Sequence, residues 1–441
     1  MKNSCSRREF INRLGLSSVA AGFCANSLFA DQFSPTKDEI ESGKAMTNDR
    51  NKSAVLKGGR IMQPERELIQ KCDVDVLVVG GGPAGVAAAI AARKLGVNVA
   101  LLERYGCFGG LFTAGLVLLL QGTFSKVKGE TVQVARGVNE ELIKRLTALG
   151  SNCITDWKNG KDPDADPESS KYVLSEMVRE SGAKVFLHSW GVDAVMDGDK
   201  VKGAVFESKS GRQAILAKIV VDASGDGDIY AAAGAEYTKY SRYIGLVYRV
   251  GGLSPDKKVN SPIKGVRWGG SGNEMGDGLN VEDLTRLEMD LRKRIWDSFE
   301  KTKKAPGNEN AFLLDVASQL GVRITRLLKG VTHMAYDTAV KPDSYKDIIG
   351  IASKSPSAKN QVYIPYGALV PKTVDNVIAA GRCISMDLNS AETCRLIPAC
   401  FTTGMAAGTA AALAVKDNCT PRDVNVGKLQ GILKENGAYL G

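Results

Sequence analysis

Apolar positions in this chain fall into unbroken runs, alternating runs and helical stripes, and each predicts a different element. Val74–Val79 and Val97–Leu102 are continuous and rich in β-branched residues, as buried parallel strands are. Between them the Ala-rich stretch Val86–Leu95 reads as a helix ended by Gly96. Residues 137–149 put Val138, Leu142, Leu146 and Leu149 on one helical face, and Pro167–Ser181 is a second amphipathic helix. Lys184–His188 reads as a strand. Val192–Lys218 reads as a β-meander with turns at Asp197-Gly198 and Ser210-Gly211, returning the chain to a strand at Ile219–Asp222. A long charged helix is expected over Val281–Lys304 and a helix of small residues over Gly404–Val415. Gly115–Leu120 is apolar but too short for a bilayer and reads as core; no later run is expected to span one.

The junction after the first strand carries chemistry. Gly80, Gly82 and Gly85 have the G-x-G-x-x-G spacing, with Pro83 and Ala84 between them. The first glycine permits a tight turn, the second lets backbone approach a pyrophosphate, and the third lets helix pack on strand. The helix N-terminus offers N–H groups to phosphate. Glu103 ends the second strand, where a carboxylate can accept hydrogen bonds from ribose hydroxyls. The unit therefore predicts a dinucleotide site.

Two further features select FAD over a nicotinamide cofactor. A second glycine-rich loop, Arg104 to Gly110, stands where a nicotinamide enzyme would begin another helix. Near the C-terminus, the apolar strand 376–380 ends in Gly381-Arg382 and leads into the small-residue helix, a second approach to the cofactor. The expected fold is α/β: a Rossmann-like FAD-binding domain with a parallel sheet and β-meander, plus an inserted α+β cap domain. Residues 71–240 and 361–441 would form the two parts of the FAD-binding domain, with 241–360 as the cap.

The bulk numbers change this picture only at the N-terminus. With 441 residues, 44% hydrophobic and 24% charged, the chain has an ordinary globular composition and room for two lobes. The net charge of +9 is spread along it, with no dense Lys/Arg block interleaved with aromatics, so nucleic acid is not an expected partner. Nine cysteines include no tight C-x-x-C repeat, so neither a zinc nor an iron–sulfur site is expected. Ser6-Arg7-Arg8-Glu9-Phe10-Ile11 precedes the mildly apolar run Leu14 to Ala30. This reads as a twin-arginine signal over residues 1–30, with export to the periplasm or another extracytoplasmic site. Residues 31–70 are polar and read as a linker.

With these pieces in place, the chain from about Asp73 onward resembles the FAD-dependent oxidoreductase family that includes the flavin subunit of heterodisulfide reductases. The resemblance is carried by the glycine unit, Val220 to Asp228, Gly321 to Arg326, Ile364-Pro365-Tyr366, Gly381-Arg382-Cys383 and Arg395 to Cys400. It implies that Gly80, Gly82, Pro83, Ala84, Gly85, Glu103 and Arg104 hold the ADP half of FAD. Gly109 and Gly110 would lie near the pyrophosphate or isoalloxazine, and Gly225 and Asp226 would line the cofactor. Gly381, Arg382 and Asp387 would close over the ribityl and pyrophosphate.

Two departures fall on the substrate side. Where the family commonly has R-E-x-R-R, this chain has Arg323-Ile324-Thr325-Arg326-Leu327. Leu388 and Ala391 stand where relatives often carry histidines. The remaining catalytic candidates are Arg323, Arg326 and Arg395, which can fix an anionic group bidentately, and His333 as an acid–base. The expected activity is hydride transfer to flavin N5 from a small-molecule substrate, anionic or carbohydrate-derived, with electrons passing to an unidentified acceptor. A non-redox lyase, isomerase or hydratase that retains FAD, and a flavin-binding protein with a degenerate site, are the alternative readings.

Overall fold

The computed structural model describes residues 53–254, 260–357 and 361–441; the twin-arginine reading falls on residues outside these. The chain divides into two compact units, Met1–Glu67 and Leu68–Gly441. In the first, Val55–Lys57 and Arg60–Met62 pair as an antiparallel hairpin. Gly58 and Gly59 form its two-residue turn, both with positive φ, as such a turn requires. The span read as a linker therefore contains a hairpin, and Gly58-Gly59 is the signal for it.

The second unit is built on a seven-stranded sheet. Lys184–Phe186, Val99–Leu102, Ile69–Val79, the end of Gly211–Asp222 and Val377–Ala379 run parallel in that order. Lys200–Ser208 and Trp190–Asp197 extend Gly211–Asp222 as the antiparallel meander. Val76–Val79, Val99–Leu102, Ile219–Asp222 and Val377–Ala379 are buried, which is why these sequences run apolar without alternation.

Helix Pro83–Lys94 follows the first strand and packs against helix Ile397–Asp417. The approach is backbone to backbone. A Cβ on Gly404 would stand 2.0 Å from the Ala84 carbonyl oxygen, and one on Gly408 would stand 2.1 Å from that of Ala88. Ile397–Asp417 is the one helix among the described residues that is long and apolar enough to cross a membrane, contrary to the expectation that no run would be. Its residues from Ile397 to Ala414 are buried in this core. Its apolar length comes from having protein on every side.

A second sheet lies in the same unit. Arg242–Gly251 is its centre, flanked by Arg267–Gly276 and Phe312–Val316, with Gly321–Val322 also pairing to it, all antiparallel. Helix Val281–Lys303 covers it with Leu287, Leu291, Ile295 and Phe299, a four-residue repeat that keeps one stripe inward. Asn280 caps this helix by accepting the Asp283 N–H. The core under it also takes in Leu116 and Leu118. It ends at Leu320, and from Ile324 to Ala352 the buried apolar side chains other than Ile351 join the main core. Strand Ile348–Ala352 pairs with Val362–Pro365, and Ile349, Ala352, Val362 and Ile364 lie in the main core.

Candidate functional site

The carboxyl ends of the parallel strands open onto one cleft, where ligands bind in open α/β sheets. Val79 and Gly80 come from the first strand, Leu102 to Tyr105 from the second, and Ser189 to Gly191 follow the third. Ala223, Ser224, Gly225 and Asp228 arrive after Gly211–Asp222, and Ala380 to Arg382 after Val377–Ala379. The cleft encloses about 840 Å³, including space open to solvent.

Its glycines do different work. Gly80 has φ +101, and a Cβ there would lie 2.4 Å from the Ala223 carbonyl oxygen. A Cβ on Gly85 would lie 1.7 Å from the Gly80 carbonyl oxygen. These two glycines are required by packing alone. Gly82 lines the cleft, and a Cβ there would meet nothing within 4 Å. It is also the N-cap of helix Pro83–Lys94, and no side chain caps that terminus. A helix N-terminus facing free space beside a glycine is a seat for phosphate.

Glu103 is buried and accepts the N–H of Gly81 at 2.6 Å and of Tyr105 at 2.8 Å. Burial pushes its carboxyl up despite those two bonds. Arg104 stacks on the rings of Tyr105 and Trp190 at the cleft wall. Gly109 donates its N–H to the Gly81 carbonyl, which sets the second glycine loop on the first. Gly110 lines the cleft, whereas Gly109 turns the chain behind it.

Arg382 is fixed by Asp226 at 2.8 Å and the Val322 carbonyl at 2.9 Å. Asp226 also accepts the Thr325 hydroxyl at 2.6 Å, so it holds Arg382 in place and does not itself line the cleft. Asp387 is not at the cleft either. It caps helix Leu388–Cys394 by accepting the Ser390 N–H and also takes the Tyr336 N–H. The D-x-x-S spacing before an Ala-containing helix is the signal for a cap.

A second cavity, about 1350 Å³ with its open space, adjoins the first. Leu111, Arg382, Arg395 and Ile397 line both. Its far wall is the second sheet, through Leu246, Val247, Trp268 and Asn273. Its near wall includes Val117 and Leu119, which alternate with Leu116 and Leu118 in the core beneath the sheet. The GLVLLL run is therefore two-faced: one set of residues is core, the other is cavity wall.

The catalytic candidates separate here. Arg323 and Arg395 line this cavity. Arg326 lines neither cavity; it bonds the Asp226 carbonyl at 3.0 Å and Asp228 at 2.9 Å, and stacks on Tyr237. That is an ion pair that holds the Asp222–Asp228 loop. His333 is exposed and also lines neither cavity, so it has no geometric claim on proton transfer. Ile324 is buried in the main core, where the family's glutamate would be a carboxylate among apolar neighbours.

Further residues line the cleft beyond the expected set. Gln319 borders the cofactor cleft, and its Oε1 is buried without a hydrogen-bond partner among the described residues. Asp228 lines the cleft with its carboxyl pushed up to about 6, first by burial and then by the charges of Asp226 and Asp222. Cys400 lines the cleft as well, its thiol pushed up to about 12 by burial, which keeps it protonated and unreactive.

Residues 75–244 and 247–433 match the family described as FAD dependent oxidoreductase. The chain is similar to thiamine thiazole synthase of Methanococcus maripaludis, with 28% identity over 163 residues, 35% of this chain and 56% of that protein. It is similar to digeranylgeranylglycerophospholipid reductase of Methanosarcina acetivorans, with 28% identity over 172 residues, 34% of this chain and 37% of that protein. The matches thus span about half or less of these relatives. Among solved structures, a geranylgeranyl bacteriochlorophyll reductase-like protein from Thermoplasma acidophilum aligns with a TM-score of 0.47 and 16% identity, covering 83% of this chain and 84% of that one.

Proposed function

Because the chain belongs to the FAD dependent oxidoreductase family and binds FAD, we propose that it takes a hydride from a small-molecule substrate held in the second cavity. The observation that carries this reading is the junction of the two cavities at Leu111, Arg382, Arg395 and Ile397. Bound FAD supplies a hydride acceptor at N5.

The chain's own residues fit that cofactor. The uncapped helix at Pro83 and the free space beside Gly82 accept a diphosphate. Glu103 would take the ribose hydroxyls, and the orphaned Gln319 Oε1 would accept a donor from the cofactor. Leu111, Ile397 and the second sheet exclude water from the junction, and Arg395 orients the substrate there.

A screen for anaerobic bleaching of the flavin tests the reading. A substrate class that bleaches it, with loss on Arg395→Gln, is the expected result. Turnover of a substrate with the flavin spectrum unchanged would favour a lyase, isomerase or hydratase. We extend the reading to export by the twin-arginine machinery, resting on Arg7-Arg8 and the run that follows, and to an electron acceptor outside the chain. The relation to the flavin subunit of heterodisulfide reductases rests on the sequence blocks alone.

A further inference from the structure

Arg323 and Arg395 line the second cavity, and with Arg242, which does not, they form a cluster with too few counter-charges. Glu392 bonds Arg242 at 2.8 Å and Arg395 at 2.6 Å, and so serves two guanidiniums at once. Arg323 has a neutral partner, the Asn273 side-chain oxygen at 3.0 Å. The group therefore sets three guanidiniums against one carboxylate. Arg382, which also reaches this cavity, is matched by Asp226 and does not draw on Glu392.

The mismatch is half-buried. The Nε atoms of Arg242 and Arg395 are both sequestered without an acceptor among the described residues. Arg323 is held below the usual guanidinium range, first by burial and then by the charge of Arg395. No carboxylate lines the second cavity among the described residues. Half-buried guanidiniums short of counter-charge are costly, and an incoming oxyanion offers the planar bidentate geometry they match. Away from this end the walls are Leu111, Val117, Leu119, Leu246, Val247 and Trp268.

We propose that the Arg323–Arg395 end of the second cavity binds the oxyanion head of the substrate, a carboxylate or phosphate monoester, with an apolar body along the opposite walls. This rests on the preceding reading of that cavity as the substrate site. The ion pairs to Glu392 position Arg395, while Arg323 is the guanidinium left for the ligand.

The test is direct binding to the FAD-loaded protein, read by calorimetry and by the flavin difference spectrum, without turnover. The probes are hexanoate, hexyl phosphate and hexanamide. At least one anion should bind about tenfold or more tightly than hexanamide, a gap of about 1.4 kcal/mol. The tighter anion identifies the head group. Arg323→Gln should weaken anion binding about tenfold and leave hexanamide unchanged, and Arg323→Lys should recover part of the loss. The wild-type comparison stands even if a variant does not fold. Hexanamide binding as tightly as both anions, or anion affinity unchanged in a folded Arg323→Gln protein, overturns the proposal. Neutral substrates that bleach the flavin while anions neither bind nor bleach would overturn it and leave the oxidoreductase reading intact. Anions that bind through Arg323 in a protein whose flavin no substrate bleaches would sustain it and sink that reading.

Discussion

Replacing Gly82 by alanine separates cofactor binding from folding at a single carbon atom. Gly82 has φ −68 and ψ −176, a conformation alanine adopts without strain. The added Cβ meets nothing within 4 Å, so the flavin-free protein has no clash to absorb. Restricting the unfolded chain should then stabilise it by about 0.4–1 kcal/mol. In a unit of this size that raises Tm by roughly 0.5–1.5 °C. FAD meets the opposite situation, since the methyl occupies the space through which the diphosphate approaches the helix N-terminus. Its Kd should rise about tenfold or more, about 1.4 kcal/mol. Gly85→Ala is the contrast, because its Cβ would overlap the Gly80 carbonyl oxygen at 1.7 Å and should cost both stability and FAD. The assay is FAD titration of deflavinated protein, by quenching of flavin fluorescence, beside a thermal melt of the same sample. Wild-type FAD affinity in Gly82→Ala would refute the placement of the diphosphate. A flavin-free melt several degrees below wild type would refute the claim that this space is free.

Two more outcomes follow from the same geometry. Asp228 lines the cleft with a carboxyl raised to about 6, so it is neutral below that pH and anionic above it. Its charge opposes the FAD diphosphate, and the Kd for FAD should rise about threefold or more between pH 5 and pH 7.5. Asp228→Asn should flatten that profile; a profile equally steep in the variant would exclude Asp228 as its source. The sign for stability agrees. The folded protein keeps this proton between the ordinary value of 3.8 and about 6, so the contribution is full at low pH and is lost as pH rises through that window. Leu291→Ala empties a fully buried position under the second sheet and should cost about 2–5 kcal/mol by urea denaturation. A loss below about 1 kcal/mol would show that the helix is not held by this stripe.

The cofactor half of the molecule was legible because its signals are local. A turn glycine, a helix start and a strand-end acid within about thirty residues are fixed by backbone geometry, and any chain that builds them repeats the spacing. The substrate half has no such spacing. Arg323 and Arg326 are three residues apart and look alike in sequence, yet one faces the cavity and the other is spent on Asp228. What separates them is pairing: Arg326 lies in the short strand Arg326–Leu328 against Tyr237–Lys239, which turns it toward the Asp222–Asp228 loop. Asp387 and Asp226 have their positions set by partners in the same way. Each is a carboxylate near the cofactor in sequence, but one caps a helix and the other holds Arg382. Val117 and Leu119 were hidden inside an apolar run, because a wall facing a ligand and a wall facing a core have the same composition. Residues that build a cleft can thus be read from local rules. Residues that face its contents depend on which partners the fold has already given their neighbours, and Arg323 is exposed to a ligand only because Glu392 is already engaged by Arg242 and Arg395.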